Sequence, residues 1–131
     1  MPRWPTVRLA DVCEVVVGRT PRRDTAAYWG GTAKWVSVSE LNGGIIETSK
    51  ETLSDRAVEE VMGNPIKPGT LLFSFKLSIG KMALAGVPLY TNEAIAALPI
   101  KRPDLINKDY LKFSLSLISK NVEANDAVLG K

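Results

Sequence analysis

The chain has 131 residues and a formal net charge of +3, and 45% of its residues are hydrophobic. This length predicts one domain over residues 1–131, with a normal apolar core and only a mild preference for an acidic partner. One cysteine and no histidine exclude an internal disulfide, a zinc site and a histidine-based triad, so we expect no metal and no cofactor.

The N-terminal segment predicts a short helix followed by a strand. The apolar residues that recur at helical spacing are Leu9, Val12, Cys13 and Val16. The strand is expected over residues 15–17, ending at Gly18, and the Cys13 thiol is expected to be buried and inert. Charged residues interrupt every apolar run of this segment, so we expect neither a signal peptide nor a membrane span, and a cytoplasmic protein.

A charged loop and a half-buried strand come next. Residues 19–24 hold three arginines and a proline, which predicts an exposed loop. We expect a turn at residues 28–31, where a tyrosine and a tryptophan precede two glycines. Apolar and polar residues then alternate over residues 34–39, which predicts a strand with one polar face.

The middle of the chain predicts a short strand over residues 45–48 and a helix over residues 55–62. The Ser54 side chain suits a helix N-cap, and Asp55 complements the helix dipole. Gly63 is placed to end the helix.

Two adjacent strands are expected over residues 70–76 and 82–85, since the first run is rich in β-forming residues and the apolar pattern resumes in the second after a short polar break. Further apolar runs cover residues 88–91 and 94–100, and Asn107 is expected to cap a C-terminal helix. The apolar face of that helix comprises Leu111, Leu115, Ile118 and Val122. Short strands with helices between and after them predict an α+β domain with a curved, mostly antiparallel sheet and a few helices.

Two loops carry clustered cations that suit the phosphates of a nucleic acid. One holds Arg19, Arg22 and Arg23, the densest positive charge in the chain. In the other, Lys76 and Lys81 flank a Ser-Ile-Gly turn whose glycine allows close backbone approach. The alternatives are a solvated loop and a hairpin with ordinary surface lysines.

Residues 37–42 offer hydroxyl, carboxylate and amide groups for reading base edges. Asn42 can pair with adenine and Glu40 can accept from cytosine, whereas the alternative is that Ser39 and Asn42 only hold the following turn. Asn92 has the same two interpretations. The full set of candidate DNA contacts is Arg19, Thr20, Arg22, Arg23, Lys34, Ser37, Ser39, Asn42, Lys76, Ser78, Lys81 and Asn92.

The tryptophans have two possible uses. Trp4, Trp29 and Trp35 can stack on bases. Trp35 alternates with polar neighbours on a strand, which favours burial in the core. Trp29 is adjacent to two glycines and is expected to shape the arginine-bearing loop.

Catalysis is not predicted for this chain. Its carboxylates are scattered along the sequence, where a nuclease would need them grouped to hold Mg²⁺. The sequence also has no glycine-rich cofactor turn with an Asn/Asp-Pro-Pro-Tyr/Phe motif, as a base-flipping methyltransferase requires, and no Walker loop.

The order and spacing of several segments resemble a known family. These segments are WPTVRLADVCEVVVGRTP, YWGGTAKWVSVSEL, IIETSKETLS, KPGTLLFSFKLSIGKMALAGVPLYTNEAI, DYLKF and AVLGK. Together they are similar to the target recognition domain of the specificity subunit of type I restriction-modification systems. The resemblance spans essentially the whole chain. The family pattern often has Arg at the position of Lys76 and Gln at the position of Glu93.

This resemblance implies a non-catalytic reader of duplex DNA. It implies that the domain binds one half of a split site within a complex whose methyltransferase and restriction/translocase subunits supply the chemistry. It also implies a curved-sheet α/β fold similar to the recognition domain of type II adenine methyltransferases. The chain would correspond to one of the two domains of a complete subunit, without the two long helices. The alternative is a module that docks a partner subunit and does not bind DNA.

Overall fold

Two sheets and one short helix organise the described part of the chain, residues 13–76, 78–101 and 107 of a computed structural model. The strands in chain order are β1 Val16–Val17, β2 Trp29–Val36, β3 Ile45–Ile46, β4 Glu51–Leu53, β5 Leu71–Ser74, β6 Met82–Ala85, β7 Tyr90–Thr91 and β8 Ile95–Leu98. The helix α1 covers Asp55–Ala57 and continues as a wider π-helical turn over Val58–Met62. Short 3-10 turns cover Ala26–Tyr28 and Val38–Glu40.

The larger sheet has the strand order β1-β8-β5-β6-β3. Its central strands pair antiparallel, with Leu72 opposite both Ala83 and Ala97. These three residues are buried in one core cluster with Val36 of β2 and Leu89. Since Val36 belongs to the other sheet, this cluster joins the two sheets.

The smaller sheet has the strand order β4-β2-β7. A second core cluster forms against it from Trp35, Leu53 and Tyr90. The Tyr90 hydroxyl donates a hydrogen bond of 3.0 Å to the carbonyl oxygen of Gly63, so β7 also anchors the end of α1.

The turn predicted at residues 28–31 is wrong, because β2 runs through it. Trp29 and Ala33 both pair with Leu53, so the intervening residues form a bulge. Gly30 adopts a φ of 83°, and a Cβ on Gly31 would overlap the carbonyl oxygen of Leu53. The glycine pair therefore serves a bulge within a strand and not a chain reversal.

The strand predicted over residues 34–39 ends earlier, at Val36. The Glu40 carboxylate accepts a hydrogen bond of 2.7 Å from the backbone N–H of Ser37, which turns the chain into the 3-10 segment Val38–Glu40. The helix predicted over residues 55–62 is confirmed in its limits, with the Ser54 hydroxyl accepting from the backbone N–H of Ala57 and Gly63 ending it at a φ of 80°.

The helical position predicted for Cys13 is wrong, although its burial is confirmed. Cys13 forms an antiparallel bridge with Ile100 and has no exposed surface, because the strand-like segment extends the β1 edge. Burial raises the pKa of the Cys13 thiol. Leu9, Val12 and the helix predicted after Asn107 lie outside the described residues.

The α+β class and the two adjacent central strands are confirmed. The strands divide between two sheets and not one. Among the described strands, the pairs β2 with β7 and β3 with β6 are parallel, while the remaining pairs are antiparallel. No helix within the described ranges is long and apolar enough to cross a membrane.

Candidate nucleic-acid interface

The arginine loop, residues 18–24, has a backbone fixed by hydrogen bonds to distant elements. The Arg19 N–H donates to the carbonyl oxygen of Thr91 at 2.9 Å. The Trp35 indole N–H donates to the carbonyl oxygen of Arg19 at 2.9 Å, and the Trp29 indole N–H donates to that of Arg22 at 3.0 Å. These hydrogen bonds therefore fix the backbone of this cationic loop at Arg19 and at Arg22.

Close packing at Gly18 brings the loop against β7. A Cβ on Gly18 would overlap the carbonyl oxygen of Thr91. Thr91 is buried, and its hydroxyl oxygen has no hydrogen-bond partner among the described residues. There is thus no room for a side chain at residue 18, where the arginine loop begins after β1.

Arg23 lies against both tryptophans that hold the loop. Its guanidinium carbon is 4.3 Å from the Trp29 ring centroid and 5.0 Å from that of Trp35. The two indoles form a T-shaped pair with centroids 5.2 Å apart, and Arg23 also pairs with the Glu51 carboxylate. The predicted burial of Trp35 is confirmed, since only 1% of it is exposed. Trp4 lies outside the described residues.

Arg22 and Arg19 have different surroundings. Arg22 is 77% exposed and makes two hydrogen bonds, of 3.1 and 2.9 Å, to the exposed carboxylate of Asp24. The Arg19 guanidinium instead donates to the carbonyl oxygen of Val61 at 3.3 Å. It lines a cleft of about 370 Å³ between β1 and α1 whose other charged residues are Glu59 and Glu60. The three arginines do not act as one cluster.

Glu93 joins the arginine loop to the turn between β7 and β8. The Thr20 hydroxyl donates to the Glu93 carboxylate at 2.5 Å. This hydrogen bond, the backbone N–H of Glu93 and the positive charges of Lys76 and Arg23 hold the pKa of the Glu93 carboxyl below its ordinary value, although partial burial opposes the shift. Thr20 therefore binds this carboxylate directly, and Lys76 and Arg23 act on it through their charges.

Asn92 in the same turn uses its side-chain oxygen locally. That oxygen accepts from the backbone N–H of Ala94 at 3.0 Å, as expected for an Asx turn. Asn92 therefore holds this turn, and its contact with DNA stays a prediction.

The loop between β5 and β6, residues 75–81, is built around the buried side chain of Ser74. The Ser74 hydroxyl donates to the carbonyl oxygen of Ser78 at 2.5 Å and accepts from the backbone N–H of Lys81 at 2.9 Å. Ser78 adopts a φ of 41°, and Lys76, Ser78 and Lys81 are exposed. The backbone N–H of Phe75 donates to the carbonyl oxygen of Ala94 at 3.1 Å, which places this loop beside the Glu93 turn.

The polar residues predicted to read bases form a local network around Glu40. One carboxylate oxygen accepts from the Ser37 hydroxyl at 3.1 Å, and the other accepts from the backbone N–H of Lys50 at 2.8 Å. Both oxygens are therefore occupied. The Asn42 side-chain oxygen accepts from the N–H of Gly44 at 2.9 Å, so Asn42 holds its turn. Ser39 and Asn42 remain exposed.

The sequence model of a protein family matches residues 1–129 of this chain, and the family is described as "type I restriction modification DNA specificity domain". The chain belongs to this family. A similar protein is the type I restriction enzyme MjaIX specificity subunit of Methanocaldococcus jannaschii, which is 28% identical over 113 residues. That match covers 84% of this chain and 26% of the relative, so the chain spans about a quarter of its length.

Two solved structures have the same fold as this specificity domain. The HsdS subunit from Thermoanaerobacter tengcongensis gives a TM-score of 0.68 at 21% identity, covering 88% of this chain and 27% of that subunit. A chain from a structural study of complex assembly and conformational transition in the type I R-M system gives a TM-score of 0.70 at 20% identity, covering 88% of this chain and 28% of the other.

In this specificity domain a groove of about 380 Å³ places further polar residues beside Ser39 and Asn42. Sequence reasoning missed them as candidates for the site. They are Glu47, Thr48, Ser49 and Lys50. The only sequence signal was the strand predicted over residues 45–48. The hydrogen bond from the Lys50 N–H to Glu40, which joins two residues that line the groove, has no local signature in the sequence.

The predicted contacts thus divide into groups. Thr20 binds Glu93 directly, and the positive charges of Lys76 and Arg23 act on the same carboxylate. Ser39 and Asn42 line the groove, and Ser37 lies beside it, within hydrogen-bond distance of Ser39. Lys34 lies on β2 opposite Thr52 and is half-buried. In residues 13–76, 78–101 and 107, no group of three or more Cys, Asp or Glu side chains is arranged to hold a metal ion.

Proposed function

We propose that this specificity domain is a non-catalytic reader of one half of a bipartite duplex-DNA site, directing the methyltransferase and restriction/translocase subunits of a type I complex. The observation that carries the proposal is the meeting of the arginine loop, the β7–β8 turn and the β5–β6 loop at Glu93. A duplex needs cations spread over adjacent phosphates, and two of these neighbouring segments, the arginine loop and the β5–β6 loop, provide them.

The proposed phosphate contacts are the exposed cations of these loops. Arg22 presents a guanidinium whose present partner is a surface carboxylate, and such pairs exchange readily because they contribute little free energy. Lys76 and Lys81 flank a loop whose backbone is ordered by Ser74. A planar guanidinium and two ammonium groups suit the phosphates of a nucleic acid.

Base reading is assigned to the groove beside β3. Ser39 and Asn42 are exposed there with Thr48 and Lys50, so hydroxyl, amide and ammonium groups are available together. These groups match the donors and acceptors on base edges in the major groove. Glu40 is not proposed as a reader, because both of its carboxylate oxygens already accept hydrogen bonds.

The test is fluorescence anisotropy of the purified chain with a labelled randomised duplex, in a salt titration beginning near about 50 mM. We expect affinity to fall linearly on a log–log plot, with a slope of about −0.9 for each phosphate contacted. A preferred sequence is then selected from the bound fraction. If the chain did not bind the duplex at any salt concentration, either alone or together with the methyltransferase subunit, the proposal would be overturned.

A second function, docking of a partner subunit without DNA, is favoured by one apolar surface. Val16 and Val17 on the edge strand of the larger sheet, and Val15 just before it, are 42–49% exposed. Such a surface predicts binding to the methyltransferase subunit that hardly depends on salt. Co-elution of the two proteins at high salt in the absence of DNA distinguishes this function from DNA reading.

A further inference from the structure

Arg23 differs from Arg22 in how its guanidinium is engaged. The Arg23 guanidinium carbon lies 4.3 Å from the ring centroid of Trp29 and 5.0 Å from that of Trp35, and the guanidinium also pairs with Glu51. Arg22 has no ring contact among the described residues, and its only side-chain partner there is Asp24. A planar cation that is stacked and paired at once loses little further entropy when it is held in place.

The same two indoles hold the backbone at two points that precede this arginine in the chain. The N–H of Trp35 binds the carbonyl oxygen of Arg19, and the N–H of Trp29 binds that of Arg22. Displacing Arg23 therefore disturbs the rings whose N–H groups fix the loop. The position of Arg22 depends on these contacts, because its own carbonyl oxygen is one of the acceptors.

We infer that Arg23 is a positioning residue that, with Trp29, Trp35 and Glu51, clamps the arginine loop so that Arg22 is presented to a DNA phosphate. This inference rests on the proposed function. It assigns the two neighbouring arginines opposite roles. Arg22 contacts the nucleic acid, and Arg23 acts through Arg22. In this arrangement Glu51 on β4 increases the affinity for DNA, although both are negatively charged, because it holds Arg23 in place.

The decisive variant is Glu51→Ala, because the two possible roles of Arg23 predict opposite signs. If Arg23 were a phosphate contact, removing its carboxylate partner would release it and strengthen DNA binding. If Arg23 is the clamp, the loop loosens and binding weakens, although a negative charge has been removed. We expect a decrease in affinity of about threefold or more at low salt.

The chain provides a matched control in Arg56. That arginine also lies over an aromatic ring, 5.6 Å from the Tyr28 centroid, and is hydrogen-bonded to Glu60 at 2.5 Å. Neither Arg56 nor Glu60 belongs to the proposed interface. Glu60→Ala therefore reports the generic effect of losing one carboxylate from such a pair, which raises affinity slightly or leaves it unchanged. A rise with Glu51→Ala like that of Glu60→Ala would overturn the clamp.

A double-mutant cycle gives a second measure in the same salt titration. If Arg22 and Arg23 were two independent phosphate contacts, each alanine substitution would reduce the slope of log affinity against log salt concentration by about 0.9 in magnitude. The double variant would then reduce it by about 1.8. If Arg23 acts through Arg22, the double variant Arg22→Ala with Arg23→Ala loses no more slope than Arg23→Ala alone. Additive losses would overturn the inference.

Lysine substitutions separate charge from shape. Lysine is a good phosphate ligand, so Arg22→Lys should retain most of the binding. Lysine cannot supply a planar guanidinium between two indoles, so Arg23→Lys should behave like Arg23→Ala. Arg23→Lys with wild-type affinity would contradict the clamp. A cooperative thermal transition for each variant establishes that it is folded.

Measurements without DNA keep this inference separate from the proposed function. The N–H groups of Arg19 and Thr25 are hydrogen-bonded in the loop at 2.9 and 3.2 Å, so their hydrogen exchange reports its order. We expect Arg23→Lys and Glu51→Ala to speed this exchange and Arg22→Ala to leave it unchanged. Unchanged exchange in the first two variants would refute the clamp. Absence of DNA binding by the wild-type chain and its complex would instead refute the proposed function and, with it, the role of Arg22.

Discussion

The hydroxyl of Thr20 donates a hydrogen bond of 2.5 Å to the carboxylate of Glu93, joining residues that are 73 positions apart in the chain. Thr20 belongs to the most cationic loop of the protein, whereas Glu93 is an acidic residue in the turn before β8. Lys76 and Arg23 are close enough to lower the pKa of the Glu93 carboxyl. The negatively charged Glu93 carboxylate thus organises a surface that we propose to bind negatively charged DNA.

Glu93→Gln should increase the affinity for duplex DNA regardless of its sequence. The glutamine oxygen can still accept from Thr20, so the variant removes the charge and preserves the link between the loops. We expect a gain of up to about fivefold at low salt that diminishes as salt screens the interaction. Anisotropy with two unrelated duplexes checks this. Glu60→Gln is the control, and an equal gain there would assign the effect to net charge.

Stability should fall at acid pH partly through the same carboxylate. The folded-state pKa of Glu93 lies below its unfolded value, so its contribution is present above the unfolded pKa and is lost as pH falls through the folded one. Urea unfolding of the wild type and Glu93→Gln, from about pH 7 to about pH 3, measures this. The wild type should lose more stability below pH 4.5 than the variant does. Parallel curves would show that Glu93 is not involved.

Ser74→Ala should destabilise the domain through the loop between β5 and β6. The substitution leaves the carbonyl oxygen of Ser78 and the N–H of Lys81 without the hydroxyl that binds both. We expect the free energy of unfolding to fall by about 1–3 kcal/mol. Ser39→Ala, at an exposed site, should change it by less than about 0.5 kcal/mol. Equal effects of the two substitutions in urea unfolding would contradict the structural role of Ser74.

Gly18→Ala should separate the arginine loop from β7. The new methyl group would overlap the carbonyl oxygen of Thr91, which also accepts from the Arg19 N–H. We expect a loss of about 1–3 kcal/mol in unfolding free energy, measured by urea denaturation. Gly44→Ala is the control, since its Cβ would lie 3.3 Å from the side-chain oxygen of Asn42, which can adjust. A wild-type unfolding midpoint for Gly18→Ala would be incompatible with the observed packing.

Local chemistry explains which elements could be predicted from the sequence. Ser54 and Gly63 mark the ends of α1 because a cap and a left-handed glycine act on adjacent backbone groups. The central strands β5 and β6 are also predictable, since each is an apolar run bounded by turn residues. The bulge at Gly30 and Gly31 was mistaken for a turn because both structures use the same glycine conformations.

The candidate site was only partly predictable because its contacts join distant segments. The cationic loops were found from composition alone. Nothing in the sequence near Arg23 indicates that Glu51 and two indoles surround it, and nothing near Thr20 indicates Glu93. These partners are fixed by the pairing of β2 with both β4 and β7. Propensity and periodicity describe neighbours in sequence and carry no information on such pairing.

The pairing of β1 with β8 also sets the order in which the domain can be completed during synthesis. Val16 pairs with Ala97, and the loop that follows β1 is held by Thr91. A growing chain therefore emerges with its arginines long before the strands that fix them, and forming this closure is a slow, non-local step. The N–H of Arg19 gains its acceptor on Thr91 only after β7 has been made, so an incomplete chain cannot hold the arginine loop in the position that we propose for DNA binding.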